Sequence, residues 1–459
     1  MSLRESFSRN LYWPLVQKIK GEYAAGALNE LSESQWKTRE ELLSRQWQLV
    51  RRIAIKAAQE VPYYRKSFNN IGWDCKNQKF SYGDFRRFPI VEKEDLRENL
   101  SEFLNPRYAG RVTSGQTSGS TGQSLSLKYS GEHESYSEAA RWRAKDWWGI
   151  RPGSPQVFFW GRPYTGSGDR ISQGLKSYLM NTQLISAFDL KEEKLQQIWK
   201  KIEHFKPSII YGYPSSISTL AGFVKAHHLA GDQLGIKVAM ITAESSTFFQ
   251  RSLIEGVFGC KTANEYGCSE TGGFVYECPN GSWHISSELT FIEFLDTDGT
   301  PVTIGEPGSI VVTHLRNNYM PLIRYRVGDI GSPLSETCDC GRGLPLMKVS
   351  VAKERDFIRL PNGERHTSEI FVYITKAVLK KFPSSIFQFK AVQKSIDLLE
   401  LEIVCGNSSF DGAAKLLRRL LEKQLGKSIR IELRKTPQIV REPSGKLRYF
   451  VSELNDQKF

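Results

Sequence analysis

Apolar residues recur at helical spacing through "ESQWKTREELLSRQWQLVRRIAIKAAQEV", residues 33–61, until Pro62 in "VPYYRK" removes a backbone donor and stops the run. Residues 1–105 therefore read as mostly helical. The earlier piece "NLYWPLVQKIK" is short, amphipathic and interrupted by Pro14. A membrane surface could hold it, but packing against its own domain is the commoner fate of such a segment. From about residue 110 to 330 the pattern changes. Short apolar runs, "SPQVFFW", "KPSIIYG" and "IKVAMITAES", alternate with longer amphipathic ones such as "TFFQRSLIEGVFG", which leads into "KTANEYG". That alternation predicts an α/β domain built on a largely parallel sheet, and such sheets bind ligands beyond the carboxyl ends of their strands. "YGYPSS", "TAESS" and "EYGCSETGG" each follow an apolar strand, so these polar segments are expected to share one edge.

Past residue 285, "FIEFLDTDGTPV", "GSIVVTHL" and "LIRYRVGDIG" are short runs broken by Gly, Pro and Asp, the signature of an antiparallel or barrel-like part. A compact α+β pattern closes the chain. It has a hairpin at Asn362 and Gly363, a helix in "EIFVYITKAVLKKF", strands around "FQFKAVQ" and "LLELEIV", a helix in "DGAAKLLRRLLEKQLG" and a strand in "SIRIELRK". The fold class is α/β, with a large N-terminal domain over 1–352 and a small α+β domain over 353–459. The large domain divides into a helical region, 1–105, and α/β and barrel-like parts, 106–352.

With 459 residues, 40% apolar and 25% charged, the composition is that of an ordinary globular protein. No apolar run approaches the ~20 residues needed to cross a bilayer, and no secretory signal is legible, so a cytoplasmic protein is expected. Seven scattered cysteines suit reduced thiols or metal ligands better than a disulfide framework. The net charge of +13 is uneven: residues 353–459 carry 21 Lys and Arg against 13 Asp and Glu. A solvated surface would look like this, and so would a small domain that meets polyphosphate.

Between a basic stretch and "LSLKYS" lies "TSGSTGQS", where Gly119 and Gly122, with Gly115 just ahead, are interleaved with Thr117, Ser118, Ser120 and Thr121. Glycines admit a ligand close to the backbone, and successive amides and hydroxyls can donate to phosphate oxygens. The Lys-Ser/Thr of a Walker loop is missing, and no nucleophile-elbow frame fits. In "YGCSETG", Tyr266 can stack on a purine and Glu270 can hold magnesium. Asp329 ends "YRVGD", where it can accept from two ribose hydroxyls, and Lys446 follows a Pro-Ser-Gly bend in "REPSGKLRYF". Taken singly, these are a flexible loop, two turns and a solvated lysine.

Taken in order, "TSGSTG", "YGYPS", "TAES", "YGCSETG", "RYRVGD" and "PSGKLR" resemble the adenylate-forming superfamily, and more narrowly the phenylacetate-coenzyme A ligase family and its CapK-like branch. The N-terminal "QWQLVRRIAIKAAQEVPYYRK" fits that branch, and the likeness spans nearly the whole chain. It implies an adenylate-forming large domain with a mobile small lid domain that uses ATP, magnesium and coenzyme A. Thr117, Ser118, Gly119, Ser120, Thr121 and Gly122 would grip the ATP phosphates. Ala243 and Glu244 would line the nucleotide pocket, Asn264 would sit near the adenine amine, and Tyr266 would stack on the ring. Asp329 would hold the ribose, Glu270 the magnesium, and Lys446 would reach the substrate carboxylate and the α-phosphate. Family members then turn the small domain, which withdraws the lysine for the thioester step. Where the family reads Gly-Arg-x-Asp-Asp, this chain has "AKERD": Lys353 replaces the arginine expected near the ribose, and Arg355 replaces the hinge aspartate.

Cys278 and His284 in "ECPNGSWH", with Cys338 and Cys340 in "CDCG", supply the three thiolates and one imidazole of a structural zinc site. Cys268 has no His near it in sequence and reads as packing. Trp160, Tyr211, Tyr213 and Phe274 are candidate walls for an apolar or aromatic acid. The expected activity is ATP-dependent adenylation of a small carboxylic acid, followed by transfer to coenzyme A. One alternative delivers the acyl group to an amine, a sugar or a carrier protein in polysaccharide or secondary-metabolite synthesis; another is a nucleotide-binding scaffold without turnover. No nucleic-acid partner is expected, and a homodimer stays open.

Overall fold

The computed structural model describes residues 3–19, 23–75, 80–116, 125–160, 174–187, 190–353, 357–382, 385–405, 410–426, 428–441 and 447–454. They fall into two compact units. One comprises Met1–Ser154, Leu179–Asn181 and Ala263–Val349; the other comprises Pro155–Tyr178, Thr182–Thr262 and Ser350–Phe459.

In the first unit the long predicted helix forms as Arg39–Glu60. Thr38 opens it with a capping box: its hydroxyl accepts from Glu41 N at 3.2 Å, while Thr38 N donates to Glu41 Oε2 at 2.8 Å. Two backbone donors that a helix start leaves without partners are thus satisfied. Thr38→Ala is expected to lower unfolding free energy by about 1 kcal/mol with an unchanged denaturant slope, as read from urea melts. Pro62 ends this helix and starts the next, Pro62–Asn70, occupying a first-turn position that needs no donor. Val50, Ile53, Ala54 and Ala57 pack from the long helix into a core with Tyr64, Phe68, Phe85, Phe88 and Phe103.

The N-terminal segment does pack against its own unit, through Trp13 and Gln17 rather than its aliphatic residues. Trp13 Nε1 and Gln17 Nε2 donate to Glu138 Oε1 at 2.8 and 3.0 Å, while Leu3, Phe7, Leu11, Leu15 and Ile19 are exposed. A π-helical turn, Ser8–Tyr12, immediately precedes the Trp13–Ile19 helix that carries Pro14. Its wider winding avoids the clash that a proline ring makes with the carbonyl four residues back.

Antiparallel pairings join Thr290–Leu295 to Gly308–His314 and that strand to Tyr325–Leu334. They also join Leu346–Lys353, Trp283–Ile285, Gly272–Glu277 and Lys261–Cys268 in turn. The helix Gly131–Asp146, capped by the Ser130 hydroxyl, runs through this unit with ten of its residues buried, Arg143 and Lys145 among them. Arg143 Nη1 meets Glu288 Oε1 at 2.7 Å, and Ser34 Oγ donates to the same oxygen at 2.5 Å. Burial alone would raise the Glu288 pKa. Arg143 and Ser34 outweigh it, so the pKa lies below the ordinary value and the carboxylate stays ionised.

The second unit contains the parallel sheet expected from strand-helix alternation. Its strands run in the order Val238–Thr242, Ile209–Gly212, Gln156–Trp160 and Thr182–Ser186. Helices Glu192–Phe205, Pro214–Ala226 and Phe248–Phe258 contribute Leu195, Ile198, Ile202, Leu220, Val224, Ile254 and Phe258 to a core with the strands. The α+β part has the predicted hairpin, Phe357–Arg359 with Arg365–Thr367. Its four-stranded sheet runs Arg430–Lys435, Leu398–Val404, Gln388–Ser395, Phe450–Ser452. The central pair is antiparallel and the outer strands pair parallel. Helix Phe410–Leu425 buries Ala413, Leu417, Leu421 and Leu425 at a spacing of four, which points one stripe at the core. Among the described residues no helix is long and apolar enough to cross a membrane.

Candidate functional site

The predicted turn "YGCSETG" is the tip of a hairpin between Lys261–Cys268 and Gly272–Glu277. Its register shifts between Tyr266 and Gly267, and two glycines permit this. A Cβ at Gly267 would lie 2.2 Å from Gly272 O, and Gly272 adopts φ +79°. Tyr266 and Glu270 are thereby set on either side of a tight reversal.

Tyr266 OH donates to Asp329 Oδ2 at 3.0 Å, joining two residues 63 positions apart. Burial and the adjacent Asp329 hold the Tyr266 phenol protonated well above its ordinary pKa. The Phe274 ring meets Tyr266 edge-on at 5.4 Å, steadying the aromatic plane. Glu270 is buried; its Oε1 accepts from Tyr325 OH at 2.9 Å and pairs with Lys93 Nζ at 3.5 Å. A buried carboxylate that already holds one cation suits a divalent ion shared with phosphate oxygens. The backbone of the turn is braced by Tyr129, whose hydroxyl donates to Ser269 O at 2.5 Å. Tyr129 stacks on His133 at 4.5 Å, and His133 Nδ1 lies 3.0 Å from His314 Nε2. Burial pushes the His133 pKa down to about 3 and that of His314 well below normal, so both rings are neutral. His314 Nδ1 accepts from Arg316 N, which leaves its Nε2 to donate to His133.

Sequence reasoning named Tyr266, Glu270, Asp329 and Asn264, and all four lie in the first unit. Asn264 is buried, with its Nδ2 on Glu277 Oε2 at 2.5 Å. Phe274 is fully buried in the core. Sequence reasoning missed Lys93, Tyr129, His133 and Tyr325. Only Tyr325 carried a signal, as the aromatic residue of the quoted "YRVGD". In the second unit Trp160 stacks on Tyr213 at 5.0 Å and Tyr211 at 6.1 Å, forming an aromatic cluster beside the parallel strands. Ala243 and Glu244 follow strand Val238–Thr242. The loop residues Thr117, Ser118, Gly119, Ser120, Thr121 and Gly122, together with Arg355, Lys446 and the Lys353 side chain, lie outside the described residues.

The cysteine and histidine set comes together as the spacing suggested. The ligand atoms of Cys278, His284, Cys338 and Cys340 all lie within 4.8 Å of one another. Cys278 Sγ and Cys338 Sγ are 3.6 Å apart, and Cys340 Sγ is 3.3 Å from His284 Nε2. Tetrahedral zinc with bonds of about 2.0–2.3 Å spaces its ligands at about 3.3–3.8 Å. His284 Nδ1 lies 3.4 Å from Leu344 O, which leaves Nε2 facing the thiols. Burial lowers the His284 pKa to about 4, so the ring is neutral.

Residues 365–453 match the family model described as the CapK C-terminal domain. The phenylacetate-coenzyme A ligase of Thermus thermophilus is 26% identical over 442 residues, covering 89% of this chain and 96% of that protein. Over most of its length the chain is thus similar to a phenylacetate-coenzyme A ligase. Staphylococcus aureus Protein CapK, 22% identical over 395 residues, covers 83% of each chain. The fold of this chain is also that of a 2-hydroxyisobutyryl-CoA ligase solved in the postadenylation state in complex with R3-HIB-AMP. The TM-score is 0.72 at 19% identity, covering 90% of this chain and 89% of that one.

Proposed function

We propose that this protein joins a small carboxylic acid to the α-phosphate of ATP, releases pyrophosphate, and then passes the acyl group to coenzyme A. The observation that carries this reading is the Tyr266–Asp329 hydrogen bond, which links the residues assigned to adenine and ribose beside the buried Glu270. The substrate carboxylate oxygen attacks the α-phosphorus as the bridging α–β P–O bond breaks. Two anions meet in that step, so the chain must cancel charge rather than supply a base. Lys446 and the donors of loop 117–122 take that role. Magnesium on Glu270 would add charge neutralisation at the phosphates. The thiol of coenzyme A then attacks the acyl carbon, AMP departs, and the thiol proton passes to solvent.

The test is ATP–pyrophosphate exchange across a panel of aliphatic and aromatic acids, followed by AMP release with added coenzyme A. Acid-dependent exchange supports adenylation; none with any acid overturns it. Tyr266→Phe keeps the ring but removes the hydroxyl from Asp329. About 1 kcal/mol of lost hydrogen bonding predicts an ATP KM about 5-fold higher at nearly constant kcat in that assay.

A second reading of the acceptor is favoured by the C-terminal match to the CapK domain and by the "AKERD" segment. In it an amine, sugar or carrier thiol replaces coenzyme A, and AMP release rises with that acceptor instead. The Cys278, His284, Cys338 and Cys340 cluster would hold a structural zinc ion. With all four positions filled by protein, that ion would brace the fold and take no part in either half-reaction.

A further inference from the structure

The helical run Leu3–Ile19 has an inward and an outward side of opposite character. Its inward side is fastened to the first unit at several points. Ser8 Oγ donates to Leu179 O, Arg9 Nε donates to Pro152 O at 3.2 Å, and Trp13 and Gln17 both donate to Glu138. The Trp13 ring meets Trp142 edge-on at 6.3 Å. The backbones come so close that a Cβ at Gly153 would lie 2.5 Å from Glu5 O.

The outward side carries Leu3, Phe7, Leu11, Leu15 and Ile19, all exposed, from 44% at Phe7 to 93% at Leu3. A spacing of four overshoots the α-helical turn by about 40° at each step, so an unbroken α-helix would wind this stripe round towards the body. The π-helical turn Ser8–Tyr12 is wider and takes back part of that drift. Anchoring goes through Trp13 and polar groups, so the five side chains leave a line of apolar surface in water with no return to the fold.

Charge indicates what covers the stripe. Arg4, Arg9 and Lys18 stand against Glu5 in this run, and the whole chain carries +13. Lys18 is exposed beside Ile19. An apolar stripe flanked by cations fits the boundary of an anionic bilayer, where the side chains enter the acyl region and the cations meet headgroup phosphates. A strip about 25 Å long and about 10 Å wide offers about 250 Å², well below the ~800 Å² per partner of a stable protein interface. A lipid surface sets no such threshold, because each inserted side chain adds its own transfer gain.

We propose that Leu3–Ile19 docks the protein on anionic membrane surfaces, lying in the plane of the interface with Leu3, Phe7, Leu11, Leu15 and Ile19 inserted and Lys18 at the headgroups. The four charged residues of the run keep it on the bilayer rather than across it. The proposal stands independently of the adenylation reading.

The experiment is co-sedimentation of the full chain with vesicles of phosphatidylcholine alone and of an equal mixture of phosphatidylcholine and phosphatidylglycerol. The parent should pellet with the mixed vesicles and bind the neutral ones at least about 5-fold more weakly, given the usual gain per cation at an anionic surface. Leu11→Gln/Leu15→Gln/Ile19→Gln keeps good helix formers but should lower the partition coefficient at least about 50-fold, since three side chains lose their transfer gain. Lys18→Ala should lower it about 5-fold. Raising salt from about 0.1 M to about 1 M should bring binding to mixed vesicles down to the neutral-vesicle level.

Because the substituted side chains are exposed, the variants should melt with the parent. If the triple variant melts early, Lys18→Ala and the salt titration carry the test. A parent that stays in the supernatant with both vesicle types overturns the proposal, as does a triple variant that pellets as well as the parent. Equal binding to neutral and mixed vesicles overturns the anionic preference. A concentration-dependent dimer in analytical ultracentrifugation, abolished in the triple variant and without vesicle binding, overturns it in favour of a second copy of the chain.

Discussion

Lys446→Ala is expected to lower acid-dependent pyrophosphate exchange by about 10²- to 10³-fold, the usual result of removing one group that stabilises charge as it develops. ATP affinity measured by equilibrium titration should stay within about 3-fold, because the loss falls on the transition state. The reason is electrostatic. In the ground state the phosphates have other donors; as the carboxylate closes on the α-phosphorus, negative charge gathers on oxygens that no neutral donor can match. Lys446→Arg keeps the charge but changes a compact ammonium into a planar fork, so it should recover only part of the rate. An unchanged exchange rate in Lys446→Ala would remove the lysine from the reaction. It would also move the centre of charge stabilisation to the first unit, where Lys93 already sits against Glu270.

The parallel strands Gln156–Trp160, Ile209–Gly212 and Val238–Thr242 were legible because each is a short apolar run closed by glycine or polar residues. The α+β part was legible for a similar reason, since Phe410–Leu425 shows its buried stripe in the spacing of its leucines and alanine. Helix Gly131–Asp146 gave no such signal. It is buried nearly all round, and its buried side includes Arg143 and Lys145, whose charges hide the helical period. The N-terminal segment shows the reverse failure. Its leucines suggest an inward face, yet hydrogen bonds to Glu138 turn Trp13 and Gln17 inward instead.

Candidate residues were legible where their type and spacing marked them. Tyr266, Glu270 and Asp329 could be named from their motifs, and the cysteines from their spacing. What sequence could not give was pairing across distance. Lys93 reaches Glu270 from 177 residues upstream, and Glu244 meets Leu447 across 203. Neither partner carries a local mark of its role, because an ion pair or a backbone amide has no motif.

Cys338→Ser should destabilise the first unit by several kcal/mol and lower its melting temperature on the order of 10 °C, with the same shift produced in the parent by a strong chelator. Elemental analysis of the purified parent should find about one zinc per chain, and of the variant far less. The size of the effect follows from what surrounds the cluster. Cys278, Cys338 and Cys340 pack with Leu31, Ala139, Tyr276 and Leu344 in one apolar core. Trp147 meets the His284 ring edge-on at 5.5 Å, while Arg342 lies 4.6 Å over the face of Trp147. Three thiols and an imidazole in such a place have little to offer one another as neutral groups. Cys278, Cys338 and Cys340 as thiolates, with the His284 imidazole, would hold a divalent ion that would tie strands Trp283–Ile285 and Leu346–Lys353, paired through His284 and Leu346, to the loop carrying Cys338 and Cys340. Because the thiols must lose protons to bind, zinc retention should weaken as pH falls, and the melting temperatures of parent and variant should converge in acid. A parent that holds no zinc, or a variant as stable as the parent at neutral pH, would leave the cluster as four packed side chains.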